Sequence, residues 1–110
     1  IAPGVNCSLE ALYNAAAKLP MISISQPKHI IGTNTVDSMM AGVFWGYVSM
    51  IEGLVTRAQK ECIERFNIQQ IKVIATGGLG GLIKPATEVI DIYDPNLTLN
   101  GLAIIHEKNK

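Results

Sequence analysis

The chain has 110 residues, which suffices for one small domain, and its nine Lys and Arg residues balance nine Asp and Glu residues. This balance argues against nucleic acid or an anionic membrane as the main partner, because both attract concentrated positive charge. Hydrophobic residues make up 48% of the chain and charged residues only 16%, against about 25% charged in a typical domain. We therefore expect a partner to cover apolar surface, either a further domain, a second copy of the chain, or both.

The cysteines and the start of the chain both favour a cytoplasmic protein. Cys7 and Cys62 lie far apart and form neither a CxxC motif nor a metal spacing, so we expect two free thiols in a reducing compartment. The N-terminus has neither the basic flank nor the apolar core of a signal peptide. Because Pro3-Gly4 has the composition of a turn, we expect Ile1 to mark the cut or processed end of a chain that began earlier.

The first part of the chain predicts one helix and one strand. Strong helix formers predict a helix over 7–18, which either Asn6 or Ser8 can cap. A loosely alternating apolar pattern then predicts a short strand over 22–25, followed by a loop.

The strongest pattern in the chain predicts a helix over 35–66. Apolar residues recur there every three or four positions, which is the period of an α-helix. They are Val36, Met39, Met40, Val43, Phe44, Tyr47, Ile51, Leu54, Val55, Ala58, Cys62, Ile63 and Phe66. Either Asn34 or Thr35 can cap the helix, and its internal glycines indicate close packing against another backbone. The uncharged run 38–51 is shorter than the roughly 20 residues that cross a membrane, so we expect no transmembrane segment.

Two further strands are predicted on either side of a glycine-rich turn. Residues 71–76 have the composition of a buried strand, and residues 89–93 predict another. Glycines at positions 77, 78, 80 and 81 fill the turn, and a short helical stretch over 79–84 should end at Pro85.

The chain should end in a helix over about 96–108, because Asp94-Pro95 is a good cap and first turn. Its predicted buried side consists of Leu97, Leu99, Leu102, Ala103 and Ile105. The resulting order of elements is typical of an α/β fold with more helix than strand. Without a repeat, a linker or an internal boundary, the sequence predicts a single domain over residues 1–110.

Two features could carry chemistry. The strand, turn and helix over 71–83 would bring glycines and helix amides close to an anion. The turn matches neither the Walker A nor the Rossmann pattern, so a nucleotide site and a plain tight turn both stay open. Thr35 either binds a ligand at the start of the long helix or serves as an ordinary cap. His29 and His106 have no partner at metal-ligating spacing, and we assign no metal ligand and no catalytic residue to this chain.

A series of short matches along the chain resembles type III pantothenate kinases. The first matches are Ile1-Ala2-Pro3-Gly4, Leu9-Glu10-Ala11-Leu12 and Lys18-Leu19-Pro20. The next are Ile31-Gly32-x-Asn34-Thr35-Val36, Gly42, Gly46-Tyr47 and Ala75-Thr76-Gly77-Gly78. The last is Asp94-Pro95-x-Leu97-Thr98-Leu99-x-Gly101-Leu102. The matches run in order across nearly the whole chain, and this order makes the series specific.

The resemblance implies a fold and an activity. The fold is the C-terminal ribonuclease-H-like half of an actin-like ATPase, in a protein that works as a homodimer through the helix over 35–66. The activity is transfer of the γ-phosphate of ATP to pantothenate, the first step of coenzyme A synthesis. Mg and a monovalent cation, potassium or ammonium, are expected to assist, with their ligands outside this chain.

Matching positions also imply site residues. Thr35 is expected to contact pantothenate, reaching across the dimer into the neighbouring subunit's site. Five residues are expected at the nucleotide, the first three near the adenosine and the last two at the edge of the cleft. They are Thr76, Gly77, Gly78, Pro3 and Gly4.

The family's two phosphate motifs, Asp-x-Gly-Asn-Thr and Asp-x-Gly-Thr-Ala, have no match in this sequence. The second carries the catalytic Asp, and we expect both to precede Ile1 in a longer parent protein. The chain alone should then be inactive, because phosphoryl transfer needs positioned phosphates, a metal and a base. Two alternatives stay open: a non-catalytic dimerisation or regulatory module of the same family, and the C-terminal domain of another sugar-kinase-like ATPase.

Overall fold

A computed structural model describes residues 1–16 and 18–110 of the chain. Along these residues lie the helices α1 (Val5–Ala15), α2 (Thr35–Phe66), α3 (Gly80–Ile83) and α4 (Leu97–Lys108), a 3-10 turn (Lys84–Ala86), and the strands β1 (Ile74–Ala75) and β2 (Ile92–Tyr93). The α/β prediction is therefore confirmed as a mixture of helices with a small parallel sheet. The chain divides into two compact units, Ile1–Ile51 and Glu52–Lys110, and the division falls inside α2.

The core of the first unit is built from α1 and the N-terminal part of α2. Its buried residues are Val5, Leu9, Met39, Ala41, Val43, Phe44 and Val48. Phe44 is the most completely buried, with 0% exposure, and its ring forms a T-shaped pair with the Trp45 ring at a centroid distance of 5.0 Å. Burying a side chain of this size stabilises the fold by about 1.5–3 kcal/mol, so Phe44 is the main apolar anchor of the unit.

The bounds of α2 confirm the predicted helix over 35–66, and Asn34 is its cap. The Asn34 Oδ1 atom accepts a hydrogen bond from the Asp37 amide at 2.9 Å, and the Asn34 amide group donates to Asp37 Oδ2 at 2.7 Å. Thr35 is the first helical residue and not the cap. The cap therefore leaves the Thr35 side chain exposed at the start of the helix.

By length and composition, α2 could also cross a membrane, although helices from the cores of soluble proteins meet the same criterion. From the sequence, only the length of the uncharged run 38–51 argues against a transmembrane segment. The whole helix is longer than that run. The expectation of no transmembrane segment stays a prediction.

Helix α1 begins earlier than predicted and has a different cap. It spans Val5–Ala15 instead of 7–18, and Gly4 occupies the cap position without a side-chain hydrogen bond. The Ser8 amide donates to the Gly4 carbonyl at 3.0 Å, so backbone geometry alone starts the helix and neither Asn6 nor Ser8 caps it. Residue 17 of the predicted helix lies outside the described residues.

The predicted strand over 22–25 is wrong, because residues 21–31 contain no strand. A strand persists only where a neighbouring strand pairs with its amides and carbonyls. Here the Ser25 amide instead donates to the Met40 sulfur at 3.2 Å. The segment is tied to α2 by a side chain and not by a sheet.

The two predicted strands of the second unit are much shorter than 71–76 and 89–93. β1 and β2 pair in parallel, Ile74 opposite Ile92 and Ala75 opposite Tyr93. On the N-terminal side, the Val73 carbonyl still accepts the Asp91 and Ile92 amides at 2.9 and 3.2 Å, but the Val73 amide donates to the Asp91 carboxylate at 2.7 Å instead of to a backbone carbonyl. A side chain therefore ends the ladder where the sequence pattern predicts that it continues.

The core of the second unit includes Ile83, Ile90 and Thr87, which are 4–8% exposed. The Thr87 hydroxyl donates to Glu52 Oε1 at 2.7 Å and accepts from the Val89 amide at 3.4 Å. This buried hydroxyl thus both donates and accepts a hydrogen bond, and it links the segment before β2 to the part of α2 that lies in this unit.

Two details of the C-terminal helices differ from the predictions. Pro85 does not end the short helix, since α3 ends at Ile83 and the chain continues through Pro85 as a 3-10 turn. Proline fits there because the first positions of a helical turn need no amide donor. Helix α4 begins at Leu97, after Asp94 Oδ1 accepts the Asn96 amide at 2.9 Å.

The predicted buried side of α4 is wrong. None of its residues is buried, and Leu97, Leu99, Leu102, Ala103 and Ile105 are all exposed. An apolar helix face becomes buried only when another element covers it, and no described residue of the second unit does so.

We predict that Asn34→Ala lowers the free energy of unfolding by about 1 kcal/mol, because the Asp37 amide loses its side-chain acceptor. Chemical denaturation followed by circular dichroism measures this change. Asn34→Ser is the matched control, since serine can still cap the helix. Equal losses in the two variants would contradict the capping role.

Candidate functional site

The predicted site residues fall into two groups, one in each unit. Pro3, Gly4 and Thr35 belong to the first unit, and Thr76 to Gly78 belong to the second. Within the first unit, the segment Pro3-Gly4 and Thr35 lie apart from each other. Pro3 is bonded to Tyr47, which lies twelve residues beyond Thr35 in α2 and hence about 18 Å along the helix axis.

Thr35 lies exposed at the N-terminus of α2, beside a small pocket of about 430 Å³. The pocket is lined by ten residues that include Ser25, Lys28, His29, Thr33, Asp37 and Met40. Asn34 already accepts the amides of Asp37 and Ser38. The first turn therefore leaves the amides of residues 35 and 36, together with the Thr35 hydroxyl, for a polar ligand.

Pro3 and Gly4 are fixed by the phenol of Tyr47. The Tyr47 hydroxyl donates to the Pro3 carbonyl at 2.6 Å. Its oxygen also lies 2.5 Å from Ser8 Oγ, and because its one proton is committed to Pro3, Ser8 must be the donor. Gly4 itself is extended, and a Cβ there would meet nothing within 4 Å. The position of this segment therefore depends on Tyr47 more than on the glycine.

A larger groove of about 900 Å³ lies between α1 and α2. Most of its lining is apolar and includes Leu12, Leu19, Met39, Val43 and Met50. Phosphates and carboxylates need polar donors, so this groove does not suit the ligands that the resemblance implies.

The second group lies in the segment Thr76–Gly81, here called the glycine loop, which directly follows β1. Thr76, Gly77 and Gly78 are all exposed. Gly77 has φ +94°, a left-handed conformation that side-chain-bearing residues rarely adopt. Its carbonyl accepts hydrogen bonds from the Tyr93 hydroxyl at 2.8 Å and from the Gly80 amide at 3.3 Å. The glycine loop is therefore an exposed backbone surface held in one conformation.

Helix α3, which begins within the glycine loop at Gly80, is too short to serve as the predicted anion site. α3 has only four residues, and its macrodipole is correspondingly small. The groups that the loop exposes at this end of β1 are the backbone of Thr76 to Gly78 and the Thr76 side chain.

Sequence reasoning identified these loop positions but assigned no role to Tyr47 or Tyr93. Both phenols bond to a carbonyl of a predicted nucleotide segment. The only signal in the sequence was a tyrosine within an otherwise apolar pattern, since a phenol that packs against a core usually finds a partner for its hydroxyl.

Among residues 1–16 and 18–110, no three His, Cys, Asp or Glu side chains come together as a metal site. Cys7 and Cys62 are free thiols, as predicted.

A family model described as type III pantothenate kinase matches residues 1–57. Curated proteins named type III pantothenate kinase match the chain over almost its whole length. The one from Phenylobacterium zucineum is 48% identical over 110 residues, which is 100% of this chain. Those from Halalkalibacterium halodurans and Paramagnetospirillum magneticum are 50% and 51% identical over 109 residues, which is 99% of it. The chain spans only 40–41% of the length of these three relatives.

We predict that Tyr47→Phe lowers the free energy of unfolding by about 1–2 kcal/mol, because it removes the bonds to Pro3 and Ser8. Hydrogen exchange at the Ser8 amide, which donates to the Gly4 carbonyl, should become faster. Ser8→Ala removes only one of the two bonds and should cost roughly half as much. A Tyr47→Phe variant with wild-type stability and exchange would contradict the anchoring role.

Proposed function

The chain belongs to the type III pantothenate kinase family, and from that premise we propose that its parent protein transfers the γ-phosphate of ATP to pantothenate. The observation that carries the proposal is the 48–51% identity to proteins of that name along nearly the whole chain. Because the chain spans about 41% of those relatives, we further propose that it is the C-terminal ribonuclease-H-like half of the actin-like ATPase fold.

We propose that Thr35 contacts pantothenate. We propose that the nucleotide is contacted by the glycine loop residues Thr76, Gly77 and Gly78 and by the segment Pro3-Gly4. Support comes from exposure and from rigidity. The Thr35 side chain is exposed at a helix start, where a carboxylate gains about 0.3–1 kcal/mol from the helix dipole. The glycine loop and Pro3 are each held by a tyrosine hydroxyl, so both backbones are ordered before a nucleotide arrives.

We also propose a homodimer formed through α2. Support comes from the apolar residues that α2 leaves on its surface, among them Val36, Leu54, Ile63 and Phe66, which are 44–59% exposed. Large apolar side chains grouped on one helix are typical of an interface. Mg and a monovalent cation would bind ligands outside this chain, and two free thiols agree with a cytoplasmic location.

We predict that the full-length parent forms ADP from ATP only when pantothenate is present. We predict no ADP above the blank from this 110-residue chain alone, because it lacks the phosphate motifs and the catalytic Asp. A coupled assay with pantothenate and with sugars as acceptors measures ADP formation by the parent and by the 110-residue chain. A parent that is inactive with pantothenate would contradict the kinase proposal and favour an accessory module. A parent that is active only with a sugar would favour another kinase of the superfamily.

We predict that Thr35→Val in the parent raises the KM for pantothenate about five- to tenfold, since one hydrogen bond to the substrate is lost, while the KM for ATP stays unchanged. Thr56→Val is the matched control, because Thr56 is an exposed threonine on the same helix. Steady-state kinetics with each substrate varied in turn separates the two constants.

Mixed dimers test whether Thr35 acts across the proposed interface. Thr35→Val subunits are combined with subunits inactivated in the part of the parent outside this chain. If Thr35 serves the neighbouring site, the mixture regains activity at low pantothenate, because each Thr35→Val subunit then receives an intact threonine. No gain on mixing would place Thr35 in its own subunit's site or in none.

A further inference from the structure

We propose that Tyr93 is a positioning residue for nucleotide binding, which sets the conformation of the glycine loop through both its hydroxyl and its ring. The inference rests on the proposed function, because it takes the glycine loop as part of the ATP site. Tyr93 itself lies on β2 and need not contact the nucleotide.

The hydroxyl fixes the first bend of the glycine loop. It donates to the Gly77 carbonyl at 2.8 Å, across 16 residues of sequence. Gly77 is the residue with φ +94°, where the chain changes direction after β1. Glycine can populate several backbone regions at similar free energy, so an external bond to its carbonyl selects one of them. The orientation of the next peptide, between Gly77 and Gly78, is thereby determined.

The ring fixes the second half of the loop by filling space. A Cβ on Gly80 would collide with the Tyr93 ring, and a Cβ on Gly81 would lie 3.3 Å from Tyr93 Cε1. A Cβ on Gly78, in contrast, would meet nothing within 4 Å. The glycines therefore serve different purposes. Gly77 allows the left-handed backbone conformation, and Gly80 and Gly81 leave space for the Tyr93 ring. Gly78 is open backbone that a ligand can approach.

The strand pair holds Tyr93 in place against the loop. Tyr93 is opposite Ala75 in the parallel sheet, and the Asp94 amide donates to the Ala75 carbonyl at 2.9 Å. Ala75 directly precedes the loop. The start of the loop and the ring that packs against its end are therefore attached to the same pair of strands.

The test uses the full-length parent with the variants Tyr93→Phe, Gly80→Ala, Tyr93→Leu and the double variant Gly80→Ala with Tyr93→Leu. Tyr93→Phe keeps the ring and removes one hydrogen bond, so the KM for ATP should rise about fivefold while the KM for pantothenate stays within twofold. Gly80→Ala should raise the KM for ATP further, because its Cβ meets the ring. In the Tyr93→Leu background the same Gly80→Ala change should have a much smaller effect, since the ring is gone.

Tyr13→Phe is the matched control, because Tyr13 is an exposed tyrosine on α1, and both constants should stay at the wild-type values. An unchanged KM for ATP in Tyr93→Phe, or additive effects of Gly80→Ala and Tyr93→Leu, would overturn the inference. Equal changes in both substrate constants would also overturn it, since they would indicate general destabilisation.

Failure of the kinase proposal can be distinguished from failure of the inference about Tyr93. If the parent binds ATP but does not phosphorylate pantothenate, the kinase proposal fails, and the same variants are compared by their ATP dissociation constants in calorimetry. A parent that does not bind ATP at all would overturn both proposals.

Discussion

The packing of α2 is the constraint on which the rest of the structure depends. The helix has 32 residues, and one stretch of it supplies the buried residues Phe44 and Val48. Its apolar pattern continues well beyond that stretch, and Leu54 and Phe66 are more than half exposed. Among residues 1–16 and 18–110, only part of the apolar surface of this helix is covered, and the exposed apolar residues of α4 add to the uncovered surface.

How well the sequence predicted each element follows from how local its determinants are. The bounds of α2 were predicted because its 3.6-residue period persists over about nine turns and a capping residue precedes it. The strand over 22–25 was predicted wrongly, because pairing depends on a distant neighbour that the local pattern does not reveal. The burial of α4 was wrong for a related reason: periodicity shows which side is apolar, and only tertiary structure shows whether anything covers it.

The same distinction applies to the candidate site. The sequence placed Thr35 in the first turn of α2 and predicted a turn at Gly77, since both follow from neighbouring residues. Nothing in the local pattern indicates that tyrosine hydroxyls bond to the carbonyls of Pro3 and Gly77, because these two contacts span 44 and 16 residues. Residue types can thus identify the backbone that would meet a ligand, while the side chains that order it become visible only in three dimensions.

The contact between Tyr93 and the glycine loop has a consequence for sequence divergence. Gly80 is required here only because an aromatic ring occupies the volume that its Cβ would fill. A chain of this fold with a small residue at position 93 would be free to carry alanine at position 80, whereas Gly77 would remain fixed by its own left-handed backbone. The residues allowed at positions 80 and 93 therefore depend on each other: a change at either position alters which residues the other can accept.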